Sequence, residues 1–221
     1  MNLFDILGPV MVGPSSSHTA GAVRIGYISL LLLDESPLHV DIILHGSFAT
    51  TGVGHGTHKA LIAGLLGMQP DDEQIPCSFS LAEKQGFTFS FSNKTIKDAH
   101  PNTAVLVLTG KSGRTIEVQA YSIGGGRIMI HKLDGITVDF TADKPTLIIY
   151  HQDKPGYVAK VSSVLADQSV NIATMQLHRQ KRGGYAIMVM ETDHAIPKTS
   201  VEWLKNVEGV HFVTYMERGK I

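Results

Sequence analysis

At 221 residues the chain is long enough for one large domain or two small ones, and 43% hydrophobic with 18% charged residues excludes a disordered or fibrous protein. A formal charge of -1 says nothing about partners; nucleic-acid binders usually carry a basic face, and the densest basic run here, Arg179 to Arg182, is closed by Gly183-Gly184 and reads as a solvated hairpin turn. The single cysteine, Cys77, excludes an intrachain disulfide and any multi-cysteine metal site made by this chain alone.

The opening Met1-Asn2-Leu3-Phe4-Asp5 lacks the basic start of a signal peptide, and the most apolar run, Ile28 to Leu33, is too short for a bilayer. A cytoplasmic protein without membrane contact is therefore expected. The turn-rich Gly13-Pro14-Ser15-Ser16-Ser17 leads into apolar residues at helical spacing from Ala20 to Leu33. A β-branched strand, His39 to Leu44, runs into a glycine-rich loop from Gly46 to Thr57, and a helix from His58 to Leu66 stops at Gly67 with Pro70 beyond. Phe87 to Phe91, Ala104 to Leu108, Thr115 to Ser122 and Arg127 to His131 read as an antiparallel sheet, with turns at Lys111 to Arg114 and Gly124-Gly125-Gly126. Asp134-Gly135 and Lys144-Pro145 mark a break, so the domains are expected at residues 1–144 and 145–221.

Beyond the break the pattern is regular. Strand Thr146 to His151, helix Tyr157 to Gln168 and strand Asn171 to His178 are followed by strand Tyr185 to Glu191, helix Lys198 to Asn206 and strand Val210 to Met216. This is the βαββαβ order of a ferredoxin-like module, and the fold class of the whole is α+β. Gly156 allows close backbone approach ahead of a helix N-terminus that can receive a carboxylate, although Pro155-Gly156 and Asn171 are equally ordinary helix-start and turn residues. Modules of this shape often associate edge to edge, so self-association is expected.

The chemistry concentrates in the first half. Ser15, Ser16, Ser17 and His18 stand at a helix start, where they can bind an anion or merely cap the helix. His55 lies between Gly54 and Gly56 with little steric cover, and an imidazole suits proton transfer near neutral pH; an exposed loop histidine without function has the same sequence. The glycines fit neither G-x-G-x-x-G nor the phosphate-loop pattern. His100-Pro101-Asn102 opens a strand and is the third histidine in a polar loop. A three-histidine zinc site competes, but the closest histidine pair, His55 and His58, lacks the i, i+4 spacing, so no metal ligand is assigned.

The segments Gly13-Pro14-Ser15-Ser16-Ser17-His18-Thr19, Gly46-Ser47-Phe48-Ala49 to Gly54-His55-Gly56-Thr57, His100-Pro101-Asn102 and Ser122-Ile123-Gly124-Gly125-Gly126 together resemble the β chain of bacterial iron-sulfur-dependent L-serine dehydratase. The same half is similar to the allosteric substrate-binding domain of some D-3-phosphoglycerate dehydrogenases. About residues 146 to 217, through the Asp153 to Gly156 loop and Val170-Asn171-Ile172, resemble an ACT domain. The resemblance implies deamination of L-serine to pyruvate and ammonia, with a [4Fe-4S] cluster on the cysteines of a separate α chain polarising the substrate hydroxyl. It further implies His55 as base, Thr57 orienting it or the substrate, and His18 and His100 completing the histidine set. Ser15, Ser16, Ser17 and Asn102 would bind substrate, and Asp153, Gly156 and Asn171 an amino-acid effector. A non-catalytic amino-acid-sensing subunit for a partner enzyme is the alternative expectation.

Overall fold

A computed structural model describes residues 10–217; the segment Met1 to Asp5 lies outside the described residues. The chain divides into two compact units between Gly135 and Ile136. Between that division and the break expected near residue 144 lies a strand, Ile136–Phe140, for which the turn residues gave no element.

In the first unit a π-helical turn, Ser16–Ala20, runs directly into α1 (Gly21–Leu33). Ser15 starts it from extended backbone, its hydroxyl accepting the His18 N–H at 3.1 Å. α1 stops at Asp34, whose left-handed backbone (φ 57°) turns its N–H onto the Leu30 carbonyl. β1 (Pro37–Leu44), α2 (Gly46–Thr51), α3 (Thr57–Leu65), α4 (Ser78–Lys84) and β2 (Thr88–Asn93) follow, then β3 (Thr103–Gly110), β4 (Thr115–Gly124) and β5 (Arg127–Leu133). The strands of this unit lie in the order β2-β1-β3-β4-β5. β3, β4 and β5 pair antiparallel as expected and β1 pairs antiparallel with β3, but β2, expected in the same antiparallel set, is parallel to β1. The long crossover through α3 and α4 supplies the length that a parallel connection needs.

α1 packs against α3 and across β4 and β5. A Cβ on Gly26 would collide with the Leu61 carbonyl, and one on Gly64 with the Val23 carbonyl, so the two helices cross backbone to backbone. Ile25, Ile28 and Leu32 of α1, Leu61 and Leu65 of α3, and Val118 and Ile130 of the sheet are fully buried around that crossing. Each contributes about 1.5–3 kcal/mol by burial. The crossing holds the turn before α1 and the first residue of α3 side by side.

The second unit opens with β6 (Ile136–Phe140) and continues β7 (Thr146–Gln152), α5 (Tyr157–Asp167), β8 (Ile172–Arg179), β9 (Tyr185–Thr192), α6 (Lys198–Lys205) and β10 (Val210–Met216). The four-stranded sheet has the order β10-β7-β9-β8, every neighbour antiparallel, as the βαββαβ reading requires. Leu147, Ile149, Met188 and Met190 from one sheet face pack on Val161 and Leu165 of α5 and Val201 and Leu204 of α6. β8 is an edge strand carrying exposed Met175 and Leu177. Among the described residues no helix is long and apolar enough to cross a membrane.

Candidate functional site

The α1–α3 crossing brings two of the three predicted histidines together. His18, in the turn before α1, and His55, just before α3, have ring centroids 4.8 Å apart. Their main chains are tied reciprocally: Thr19 Oγ1 donates to the His55 carbonyl at 3.0 Å, and Thr57 Oγ1 donates to the His18 carbonyl at 2.9 Å. Thr57 is fully buried, so its hydroxyl braces the His18 backbone. The hydroxyls that reach an imidazole belong instead to α2, a helix hidden in what the sequence presents as one glycine-rich loop. Ser47 Oγ and Thr51 Oγ1 lie 3.0 and 3.1 Å from His18 Nε2, and buried Phe48 meets the same ring edge-on at 5.2 Å. His55 Nδ1 lies 3.0 Å from the Thr51 carbonyl. A carbonyl only accepts, so this contact assigns the hydrogen to Nδ1 and leaves the lone pair on Nε2.

The other predicted segments join the same cluster. Ser47 N–H donates to the Pro101 carbonyl at 2.7 Å; Gly46 has φ +57°, and any Cβ there would strike Pro101, which fixes glycine at this position. Asn102 Nδ2 donates to the Ser122 carbonyl at 3.5 Å, and Ser122 N–H returns to the Asn102 carbonyl at 3.1 Å. Buried Ser122 sits directly over Gly21, and a Cβ on Gly124 would come within 3.6 Å of Ser17 Oγ. Loops from four parts of the chain thus meet in one patch, in which hydrogen bonds tie Ser15, His18, His55 and Asn102, while Ser16 accepts the Gly21 N–H through its carbonyl and Ser17 lies beside Gly124. His100 is at its margin: exposed, it stacks on Tyr121 with centroids 4.8 Å apart, and its Nδ1 accepts the Asn102 N–H at 3.2 Å.

Burial, then the neighbouring His55, lowers the His18 pKa below its ordinary 6.5, with hydrogen bonding to the Ser47 main chain acting the other way. His18 is therefore neutral at pH 7. His58, half-buried against Phe91 at 4.6 Å, is lowered by the same desolvation. Among the described residues no group of three or more His, Cys, Asp or Glu side chains is arranged to hold a metal ion. Cys77 is exposed, and a lone thiol does not fit an iron-sulfur cluster, which takes several thiolates.

In the second unit Asp153 is fixed by Arg179 Nη1 at 3.0 Å and by the Gly183 N–H at 2.9 Å. The Gly183 hydrogen bond and then the Arg179 contact hold its carboxyl below the ordinary carboxylate range. Gly156 takes φ +98° ahead of α5, with nothing within 4 Å of where a Cβ would stand. Asn171 donates to Asp193 at 2.6 Å. These residues do not converge within one module. β7 and β8 both run antiparallel to β9, with Gln152 opposite Tyr185 and Ile172 opposite Thr192. The Asp153–Gly156 loop and Asn171 therefore stand at opposite ends of the sheet, about 23 Å apart at ~3.3 Å per residue. A residue that sequence reasoning missed stands beside the loop: His151 is 2% exposed, its Nδ1 bonds the Gln152 carbonyl at 2.8 Å, and its Nε2 has no partner among the described residues. Its ring lies 4.7 Å from that of Tyr157, the first residue of α5. The signal was the alternation Leu147, Ile149, His151, which puts an imidazole on the core face.

Comparison with known proteins bears on both units. Residues 2–86 match the family model "Serine dehydratase beta chain", and residues 145–209 match "ACT domain". The chain is 38% identical over 213 residues to the probable L-serine dehydratase β chain of Bacillus subtilis, covering 96% of each. It is 34% identical over 215 residues to the L-serine dehydratase β chain of Peptoniphilus asaccharolyticus, covering 97% of each. Against an L-serine dehydratase of Escherichia coli, 29% identity extends over 66% of this chain and 37% of the longer protein.

Proposed function

The chain belongs to the family of L-serine dehydratase β chains, and from that premise we propose that it supplies the proton-abstracting side of an L-serine dehydratase assembled with a separate α chain. The observation that carries this reading is the paired, differently bonded imidazoles of His18 and His55. With Nδ1–H committed to the Thr51 carbonyl, His55 Nε2 is the open base, and neutral His18 keeps a competing positive charge away from it.

Ser15, Ser16 and Ser17, at the start of the helical run, hold the substrate carboxylate, while Asn102 and His100 bound the pocket on the β3 side. His55 Nε2 removes the Cα proton, the Cα=Cβ bond forms as the Cβ–O bond breaks, the departing hydroxyl takes that proton to leave as water, and the aminoacrylate so formed tautomerises to an imine. Water hydrolyses the imine to pyruvate and ammonia. The chain's single thiol does not fit a [4Fe-4S] cluster; such a cluster, carried by the α chain, would supply a Lewis acid for the departing hydroxyl. Two points favour an α/β assembly: the "beta chain" of the relatives' names, and this chain's span of about a third of the Escherichia coli enzyme. The cytoplasm is the compartment that suits it, a reducing setting for an exposed lone cysteine.

The ACT module pairs with a second copy, and an amino-acid effector binds between Asp153 and Gly156 of one copy and Asn171 of the other. The separation of those residues along a single sheet and the exposed edge strand β8 support this arrangement.

The test is His55→Ala in the complex with the α chain. Turnover should fall about 10²- to 10⁴-fold while serine binding is largely kept. An intact maximal rate with altered regulation would instead make the chain a sensing subunit.

A further inference from the structure

Thr51, the last residue of α2, is exposed, yet its polar atoms touch both imidazoles. Its carbonyl takes His55 Nδ1–H at 3.0 Å. Its hydroxyl donates to the Ser47 carbonyl one turn back at 2.9 Å. With that proton committed, the Thr51 oxygen can only accept from His18 Nε2, 3.1 Å away. Ser47 Oγ, 3.0 Å from the same nitrogen and 3.3 Å from Thr51 Oγ1, shares the contact and can pass its own proton to Thr51. His18 then carries its hydrogen on Nε2 and a lone pair on Nδ1, the reverse of His55. A spacing of four residues on one helix is what places both hydroxyls under one ring.

We propose that Ser47 and Thr51 are positioning residues that impose opposite tautomers on the two imidazoles, the paired hydroxyls setting His18 and the Thr51 main chain setting His55. Neither side chain needs to meet substrate. The inference rests on the reading of His55 as base only for its kinetic consequence; the tautomers themselves are a property of the chain alone.

Had the two hydroxyls served only to finish a short helix, their removal would leave the His18 ring unchanged. The experiment is the double variant Ser47→Ala/Thr51→Val, with the exchanged pair Ser47→Thr/Thr51→Ser as the conservative control. Long-range ¹H–¹⁵N spectra of the full-length chain with labelled histidine report which ring nitrogen bears hydrogen. The expected result is that wild type and exchanged pair show His18 protonated on Nε2, whereas the double variant shows a mixture of tautomers. His55 should remain protonated on Nδ1 in all three. In the complex with the α chain, the double variant should lose about tenfold in kcat with KM within about twofold, and the exchanged pair should recover most of it. Unchanged His18 signals in a folded double variant would overturn the proposal. Wild-type spectra as described, in a complex whose His55→Ala variant still turns over serine, would overturn the assignment of the base and leave the tautomer assignment standing.

Discussion

Thr57 separates two accounts of the site, because the family resemblance implies that it orients His55 or the substrate while its hydroxyl is bonded to the His18 carbonyl. Thr57→Val keeps the shape of the side chain and removes only the donor, so no cavity is introduced. The side chain is fully buried and the bond is 2.9 Å long, so nothing from solvent replaces the lost donor. The loss should cost the first unit about 1–2 kcal/mol. At about 2–4 °C per kcal/mol for a chain of this size, the melting midpoint should drop by roughly 2–8 °C. The same bond locks the turn that carries His18, so kcat in the complex should fall together with stability, and Thr57→Ser should restore both. Thermal melts followed by circular dichroism, with steady-state kinetics on the same preparations, provide the check. A raised KM with an unchanged melting midpoint would mean that the hydroxyl meets substrate, and would refute the bracing role.

Lowering the pH should weaken the fold through two histidines. His18 and His58 have folded-state pKa values depressed below 6.5, so the unfolded chain binds protons more readily; stability is full above pH 6.5 and declines as pH falls from there through the depressed values. A melting series at descending pH should show wild type losing more than His18→Gln/His58→Gln, and parallel curves would remove these two groups as the cause. For the ACT module, Asp153→Ala and Asn171→Ala chains should each fail to bind L-serine used as the calorimetric probe. Mixing the two, with exchange of partners, should recover one intact site in each mixed pair if ligand spans two copies, and no recovery would rule that arrangement out.

How far the sequence announced these features follows from what each signal measures. The βαββαβ module was legible because turn residues separate most of its elements and its two helices bury a stripe at helical spacing, Tyr157, Val161 and Leu165 in α5 and Val201 and Leu204 in α6. The histidine pair was legible as residues, through glycines and serines around His18 and His55, but not as geometry. α2 escaped notice because only six residues form it and it opens on glycine; what stabilises it is contact with Pro101, a residue some fifty positions later. The parallel pairing of β2 was equally invisible, since the strand's own residues do not encode the direction of its neighbour. β6 was not legible because its five residues lie between two turn signals, Asp134-Gly135 and Lys144-Pro145. His151 was passed over because burial of a polar side chain depends on the helix that covers it, not on the strand that bears it.

The proposed division of labour between two chains has a physical basis in where the site stops. The imidazoles are anchored from beneath by buried Phe48 and Thr57, but the rim is open: Val53 is 80% exposed between Thr51 and His55, and Ile123 is 41% exposed beside the Gly124 turn. A base that must take a weakly acidic Cα proton gains from exclusion of water, which strengthens the fixed dipoles around the substrate. The residues of the first unit described above supply the floor of such a pocket. Two exposed aliphatic side chains flanking polar catalytic groups are suited to cover by an apolar partner surface. On that argument Val53→Asp should weaken assembly with the α chain while leaving the fold of the isolated chain intact, measured as a raised dissociation constant with an unchanged melting midpoint. Full assembly by the aspartate variant would mean that the partner approaches from another face, and that the pocket is closed by some other means.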